Sequence, residues 1–221
     1  MSGNGGLKHF IAKAKINLDQ MRRKEIIAIL ENISDRARQS INDTSQGDWF
    51  LRELARAQGF DGLPHIVSKQ EMDNYIASGE QELFRGLDSY GVQGKTGEDL
   101  AQQFRSGDMY VGKGIFGNGI YVAYSSDKYD AQEYSGVEIE GAIVRLSLKK
   151  DAKVISYDKL LEKKNKDVLK AYIELEDPGH YAAFKGYDVI DVGATKNRPK
   201  YMVVLNRTAL RVQDESIERV E

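Results

Sequence analysis

The apolar residues of this chain change period near residue 80, and that change limits the architecture more than any other feature. Before it they recur at three and four: Leu7, Phe10, Ile11, Ala14, Leu18 and Met21, then Ile26, Ile29, Leu30, Ile33, Ala37 and Ile41. Such spacing lays one apolar stripe along a helix. The stretch is long for a single globular helix without an internal cap, so a break is expected near Arg23. A second helix fits Asp48 to Gln58, with Gly59 as its stop. Ser68-Lys69-Gln70-Glu71 reads as a capping box that opens a third helix, ending near Gly79.

Beyond that point the runs are short and strand-like: Glu82–Gly86, Gly119–Ala123, Ala142–Leu148, Ala152–Ile155, Tyr187–Asp191, Tyr201–Leu205 and an edge at Leu210–Val212. Helices are expected between them, from Thr96 to about Ser106, Ser126 to Gly136, Asp158 to Ile173 and His180 to Lys185. Strand and helix do not alternate regularly, which favours an α+β fold over a doubly wound sheet. The expected organisation is a helical subdomain over 1–79 and a second, strand-rich domain over 80–221.

Composition removes several classes of function. The 221 residues carry a formal net charge of −2, with a pI near 6.0, so no global basic field points to nucleic acid or anionic membrane. Without cysteine there is no disulfide, no thiolate nucleophile and no cysteine-ligated metal. His9, His65 and His180 stand far apart and none has a metal-ligand spacing, so no metal is expected. No apolar run approaches the roughly 20 residues of a membrane span, and no signal-peptide pattern is present, so a cytoplasmic protein with no membrane partner is expected. Two stretches are locally basic. Residues 8–24 hold six Lys/Arg against Asp19, and residues 149–170 hold eight lysines against four acids. Solvated helix faces explain such runs as well as phosphate contacts do.

Ten of the 21 glycines fall between Gly79 and Gly119. Gly107 to Gly114 nearly matches a phosphate-binding P-loop, but Gly114 stands where the magnesium-binding hydroxyl belongs, and no helix follows. Gly112-Lys-Gly114-Ile-Phe-Gly117 matches G-x-G-x-x-G, yet a strand rather than a helix comes next. Two readings remain. The glycines let the backbone approach a ligand and present amides to it, with Lys113 adding charge, or they only make tight hairpin bends.

Phe116-Gly117-Asn118-Gly119-Ile120-Tyr121-Val122-Ala123, with Ser125-Ser126-Asp127-Lys128 and Tyr134 downstream, resembles the nicotinamide-binding stretch of ADP-ribosyltransferases of the poly(ADP-ribose) polymerase type. Leu83-Phe84-Arg85-Gly86-Leu87 looks like the first core strand of that superfamily, whose toxin branch has arginine at the place of Arg85. Gly186–Ile190 and Lys200–Asn206 resemble the closing strands of phage-associated and toxin members. The four blocks agree in order and spacing over about residues 80–212.

The resemblance implies a split pair of antiparallel sheets holding NAD⁺ in a central cleft. Carried over by position, Arg85 would fix ribose or phosphate, the Gly86 backbone would pair with the nicotinamide amide, and Tyr121 and Tyr134 would clamp the ring. Lys113, Gly119 and Ser125 would join the cofactor-binding set. NAD is then the substrate, an acceptor protein or nucleic acid takes the ADP-ribose, and an antitoxin or phage protein would be a partner. In one respect the chain departs from the family: Lys200 stands where the usual catalytic glutamate is expected. Three explanations stay open. A carboxylate such as Glu133, Glu138 or Glu140 substitutes; the enzyme is a glutamate-less mono-transferase; or the chain is an inactive NAD- or ADP-ribose-binding module. Arg85, Tyr121, Glu133 and Glu140 are the catalytic candidates.

Overall fold

The computed structural model describes residues 18–40, 48–87, 94–107, 112–124, 141–193 and 201–216. The expected break near Arg23 is present. A 3₁₀ turn at Leu18–Gln20 precedes helix α1 (Arg23–Ser40). Helix α2 (Trp49–Gln58) starts where Asp48 accepts from the Leu51 N–H, and it stops at Gly59 in the left-handed conformation. The Ser68–Glu71 capping box opens α3 (Lys69–Ala77), and a Thr96–Asp99 box opens α4 (Gly97–Arg105). The run expected as one helix to Ile173 is α5 (Tyr157–Lys166) followed by two 3₁₀ turns, Val168–Ala171 and Ile173–Leu175. The last α-helix among the described residues is α6 (Pro178–Phe184), with Asp177 as its N-cap. The helix expected over Ser126–Gly136 lies outside the described residues.

Among the described residues, eight strands form one sheet: β1 (His65–Val67), β2 (Gln81–Leu87), β3 (Ile120–Tyr124), β4 (Ala142–Leu148), β5 (Val154–Ser156), β6 (Val189–Asp191), β7 (Tyr201–Val204) and β8 (Leu210–Gln213). Their spatial order is β1-β8-β4-β2-β3-β7-β6-β5. The split antiparallel pair of sheets is therefore corrected to one mixed sheet. Hydrogen-bonded pairing continues across the middle at Leu83↔Tyr124 and Phe84↔Ala123, while β1 with β8 and β5 with β6 run parallel. Strand β1 was not foreseen, because three residues ahead of a strong helix cap carry no alternation to read.

Alternation along the strands sorts the core onto two faces. On one face Leu83, Val122, Val144, Leu146 and Val204 pack with Leu100, Ala101 and Phe104 of α4. On the other, Ile190 and Val203 meet Leu30 and Ile33 of α1, Leu54 of α2, and Tyr181 and Phe184 of α6. This second helical layer covers the β7–β6 side. Toward β2 and β4 the same face carries a separate cluster of three, Phe84, Ala123 and Ile143. A cleft opens beside that cluster, at the edge of the helical layer.

Candidate functional site

The cleft begins where two central strands part. β2 pairs with β4 over seven residues but with β3 over two. Continued, the β2–β3 register would set Gly86 opposite Tyr121. Instead the Arg85 guanidinium enters the gap and its Nη1 donates to the Tyr121 carbonyl oxygen at 2.6 Å. The side chain thus takes the place of the next ladder bond.

The resulting cavity measures about 290 Å³. Phe84, Arg85 and Gly86 of β2 form one wall, and Tyr121, Val122 and Ala123 of β3 form the next. Gly112, Lys113 and Gly114 form a third, and Tyr201 of β7 closes it. The volume sits at the lower end of the roughly 300–1,000 Å³ typical of small-molecule sites, room for one ring and an attached sugar rather than a whole dinucleotide.

Residues 112–119 are a hairpin. Gly112 and Gly119 exchange both backbone hydrogen bonds, at 2.8 and 3.1 Å, and the Gly117 N–H donates to Gly114 O at 3.0 Å. The hairpin reading of the glycines is therefore the one observed: they bend the chain and bring its backbone against the Tyr121 ring. A side chain on Gly114 would strike the Tyr121 hydroxyl. That hydroxyl donates to Gly117 O at 2.8 Å. The Tyr121 and Tyr201 rings meet edge-on with centroids 6.1 Å apart, and Phe116 contacts both Tyr201 and Tyr157 from behind. Two fixed aromatic rings and two cations, Arg85 and the exposed Lys113, suit a planar cationic ring with an anionic tail.

The second arm of the hairpin is anchored, next to its base, by a part-buried polar cluster. The Asn118 N–H donates to both Asp177 oxygens, at 3.0 and 3.2 Å, and Asn118 Nδ2 donates to Asp48 Oδ2 at 2.5 Å. His180 Nε2 bonds the same Asp48 oxygen, and its Nδ1 lies 2.7 Å from Glu174 O. Burial disfavours the Asp48 charge, but the bond and charge of His180, with donors from Leu51 and Asn118, hold its pKa below the usual carboxylate range. Burial likewise opposes His180 ionisation. The bond and charge of Asp48, then Asp177 and the Glu174 carbonyl, outweigh it and raise that pKa above the ordinary imidazole value.

Arg85, Gly86, Lys113 and Tyr121 thus come together in one cleft. Gly119 does not line it: this residue pairs with Gly112 at the hairpin base, its α-carbon packed against Val203. Ser125, Glu133, Tyr134, Glu138, Glu140 and Lys200 lie outside the described residues. Among the described residues lining the cleft, none carries a carboxylate. Asp191 is on the opposite face, accepting at 2.7 Å from the Tyr124 hydroxyl; burial, then that bond and charge, raise the Tyr124 pKa. Sequence reasoning missed Tyr201, whose signal was its place at the start of the closing strand. It also missed the Asp48–His180 pair, whose members are 132 residues apart and share no motif. Comparison with family models, with curated proteins and with solved structures gives no match.

Proposed function

We propose that the chain is an NAD⁺-dependent mono-ADP-ribosyltransferase acting on a macromolecular acceptor, an effector of the kind found in bacterial toxins and phages. One observation carries the reading. Four residues picked from sequence as NAD contacts, Arg85, Gly86, Lys113 and Tyr121, line a single cleft. In the proposed complex the nicotinamide ring lies against the Tyr121 ring, with Tyr201 at the end of the cleft, beside the strand edge of Gly86 where the ladder stops. Arg85 forks to ribose or phosphate oxygens and Lys113 faces the diphosphate, the cationic contacts an anionic tail requires.

The reaction breaks the bond between ribose C1′ and the nicotinamide nitrogen, and neutral nicotinamide leaves with the electron pair. The sugar becomes oxocarbenium-like, the acceptor nucleophile bonds to C1′, and the nucleophile's proton passes to a base. Held against Tyr121, the ring leaves from a fixed orientation, which lowers the entropic part of the barrier. Transfer stops at one unit, because chain growth needs a carboxylate to activate the ribose hydroxyl, and Lys200 stands in that sequence position.

Labelled NAD⁺ incubated with the protein and a cell lysate tests the reading. Label transfer and nicotinamide release are expected, both lost in Arg85→Ala and Tyr121→Ala; nuclease or protease sensitivity of the label then identifies the acceptor. The second reading, a non-catalytic NAD- or ADP-ribose-binding module, is favoured by the lack of a carboxylate among the described cleft-lining residues. Tight NAD⁺ binding with no nicotinamide release would select it, and absence of both binding and release would refute both readings.

A further inference from the structure

The cluster beside the base of the hairpin gives the helices ahead of the sheet a part in the cleft. Asp48 is the N-cap of α2, and its side chain is 7% exposed. One of its oxygens caps the helix through Leu51 N–H at 2.9 Å, and the other receives both Asn118 and His180. From Asn118 the connection continues through Gly117, whose α-carbon packs against the Gly179 backbone and whose carbonyl accepts from Tyr121. A helix cap therefore fixes the hairpin that sets the Tyr121 ring.

The protonation of His180 follows from geometry. Its Nδ1 faces a backbone carbonyl and its Nε2 faces a carboxylate, both acceptors only. Satisfying the two requires a hydrogen on each nitrogen, hence the imidazolium. The charged groups acting on it are Asp48 from α2 and Asp177, the N-cap of its own helix; Glu174 of the preceding 3₁₀ turn meets it through its backbone carbonyl. The Glu174 carboxylate is engaged by Ser34 at 3.3 Å and lies 3.9 Å from Arg38. His180 is the member of this cluster that loses charge as pH rises through its raised pKa.

Resting on the NAD⁺ reading above, we propose that Asp48 is a positioning residue of the cleft: with the His180 imidazolium it holds Asn118, and through the hairpin the Tyr121 ring, in the geometry that receives the nicotinamide end of NAD⁺. Loss of the His180 proton breaks one of its two bonds and loosens the hairpin. NAD⁺ affinity therefore falls as pH rises past 6.5 and through the raised pKa of His180.

The test uses the full chain, with NAD⁺ calorimetry and hydrogen exchange of the hairpin amides between about pH 6 and 9.5, the range over which a raised imidazole pKa is sampled. Asp48→Asn keeps the helix cap, since asparagine caps as well as aspartate. Its amide nitrogen would face the donors of Asn118 and His180. We expect about tenfold weaker NAD⁺ binding at pH 6.5 and a flattened pH profile. Asn118→Ala removes the anchor without touching His180. Similar weakening is expected, with His180 still titrating by NMR but no longer moving the hairpin amides. Wild-type affinity and pH profile in both variants would overturn the proposal, as would wild-type hairpin amides indifferent to the His180 titration. If Asp48→Asn does not fold, Asn118→Ala decides. If the wild type binds no NAD⁺, the functional reading fails, and the exchange data still decide whether Asp48 and His180 set the hairpin.

Discussion

Two glycine-to-alanine changes three residues apart should have opposite consequences. Gly117 has φ of +111°, and a β-carbon there would collide with the backbone of Gly179. Neither side of that contact can yield by rotating a side chain. The backbone strain costs about 1–2 kcal/mol. Displacing the hairpin from α6 also forfeits the neutral Tyr121–Gly117 bond, about 1 kcal/mol, and weakens the bonds from Asn118 N–H to the Asp177 carboxylate, about 1.5–3 kcal/mol. The total is about 3.5–6 kcal/mol, or roughly 10–20 °C in Tm for a chain of this size. At Gly114 the colliding atom is the Tyr121 hydroxyl, the far end of a side chain that can swing. Gly114→Ala forfeits the Tyr121–Gly117 bond alone and should therefore lower Tm by about 2–4 °C, yet weaken NAD⁺ binding about tenfold because the ring is displaced. Thermal unfolding by far-UV circular dichroism and NAD⁺ calorimetry measure the pair. A Gly117→Ala protein within about 0.5 kcal/mol of wild type would refute the docking of the hairpin on α6.

Arg85→Ala should weaken NAD⁺ binding by about 30- to 100-fold, and Arg85→Lys should not restore it, because an ammonium cannot bond the Tyr121 carbonyl while forking to the ligand; calorimetry checks both. Lys113→Ala should weaken binding by a few-fold at low salt, with the difference shrinking above about 0.5 M salt as charge is screened; a salt series of the same titration checks it. The Tm difference between wild type and Asp48→Asn should be pH-dependent. His180, raised, contributes fully below 6.5 and loses its contribution as pH rises through its folded pKa; Asp48, lowered, contributes above 3.8 and loses it as pH falls through its own. The difference is therefore largest between those limits and shrinks on both sides, as melts at several pH values would show.

Much of this chain was legible because its signals are local. The Ser68–Glu71 and Thr96–Asp99 boxes and the Gly59 stop each act within one turn, and each helix begins or ends where they direct. Ala142–Leu148 was readable to the residue, since Ile143 and Val144 favour a strand and Ala142, Val144, Leu146 and Leu148 alternate onto one face. Arg85, Gly86 and Tyr121 were legible as candidates through the order of the motifs that carry them. What those strands do to one another was not. That β1 lies parallel to β8, and that β2 leaves β3 after two pairs, depends on residues far apart in sequence.

The amino-acid sequence by itself therefore determined the capped helix ends at Gly59, Ser68 and Thr96, the strand-rich half of the chain and the cationic and aromatic residue types that line the cleft. Tertiary structure decided that the two halves of the sheet are one, that Tyr201 closes the cleft, and that Asp48 and His180 hold its hairpin. The physical reason is range. Caps and periodicity act over three or four residues and are written in consecutive letters. A parted ladder and a part-buried ion pair exist once folding has closed loops of tens to more than a hundred residues.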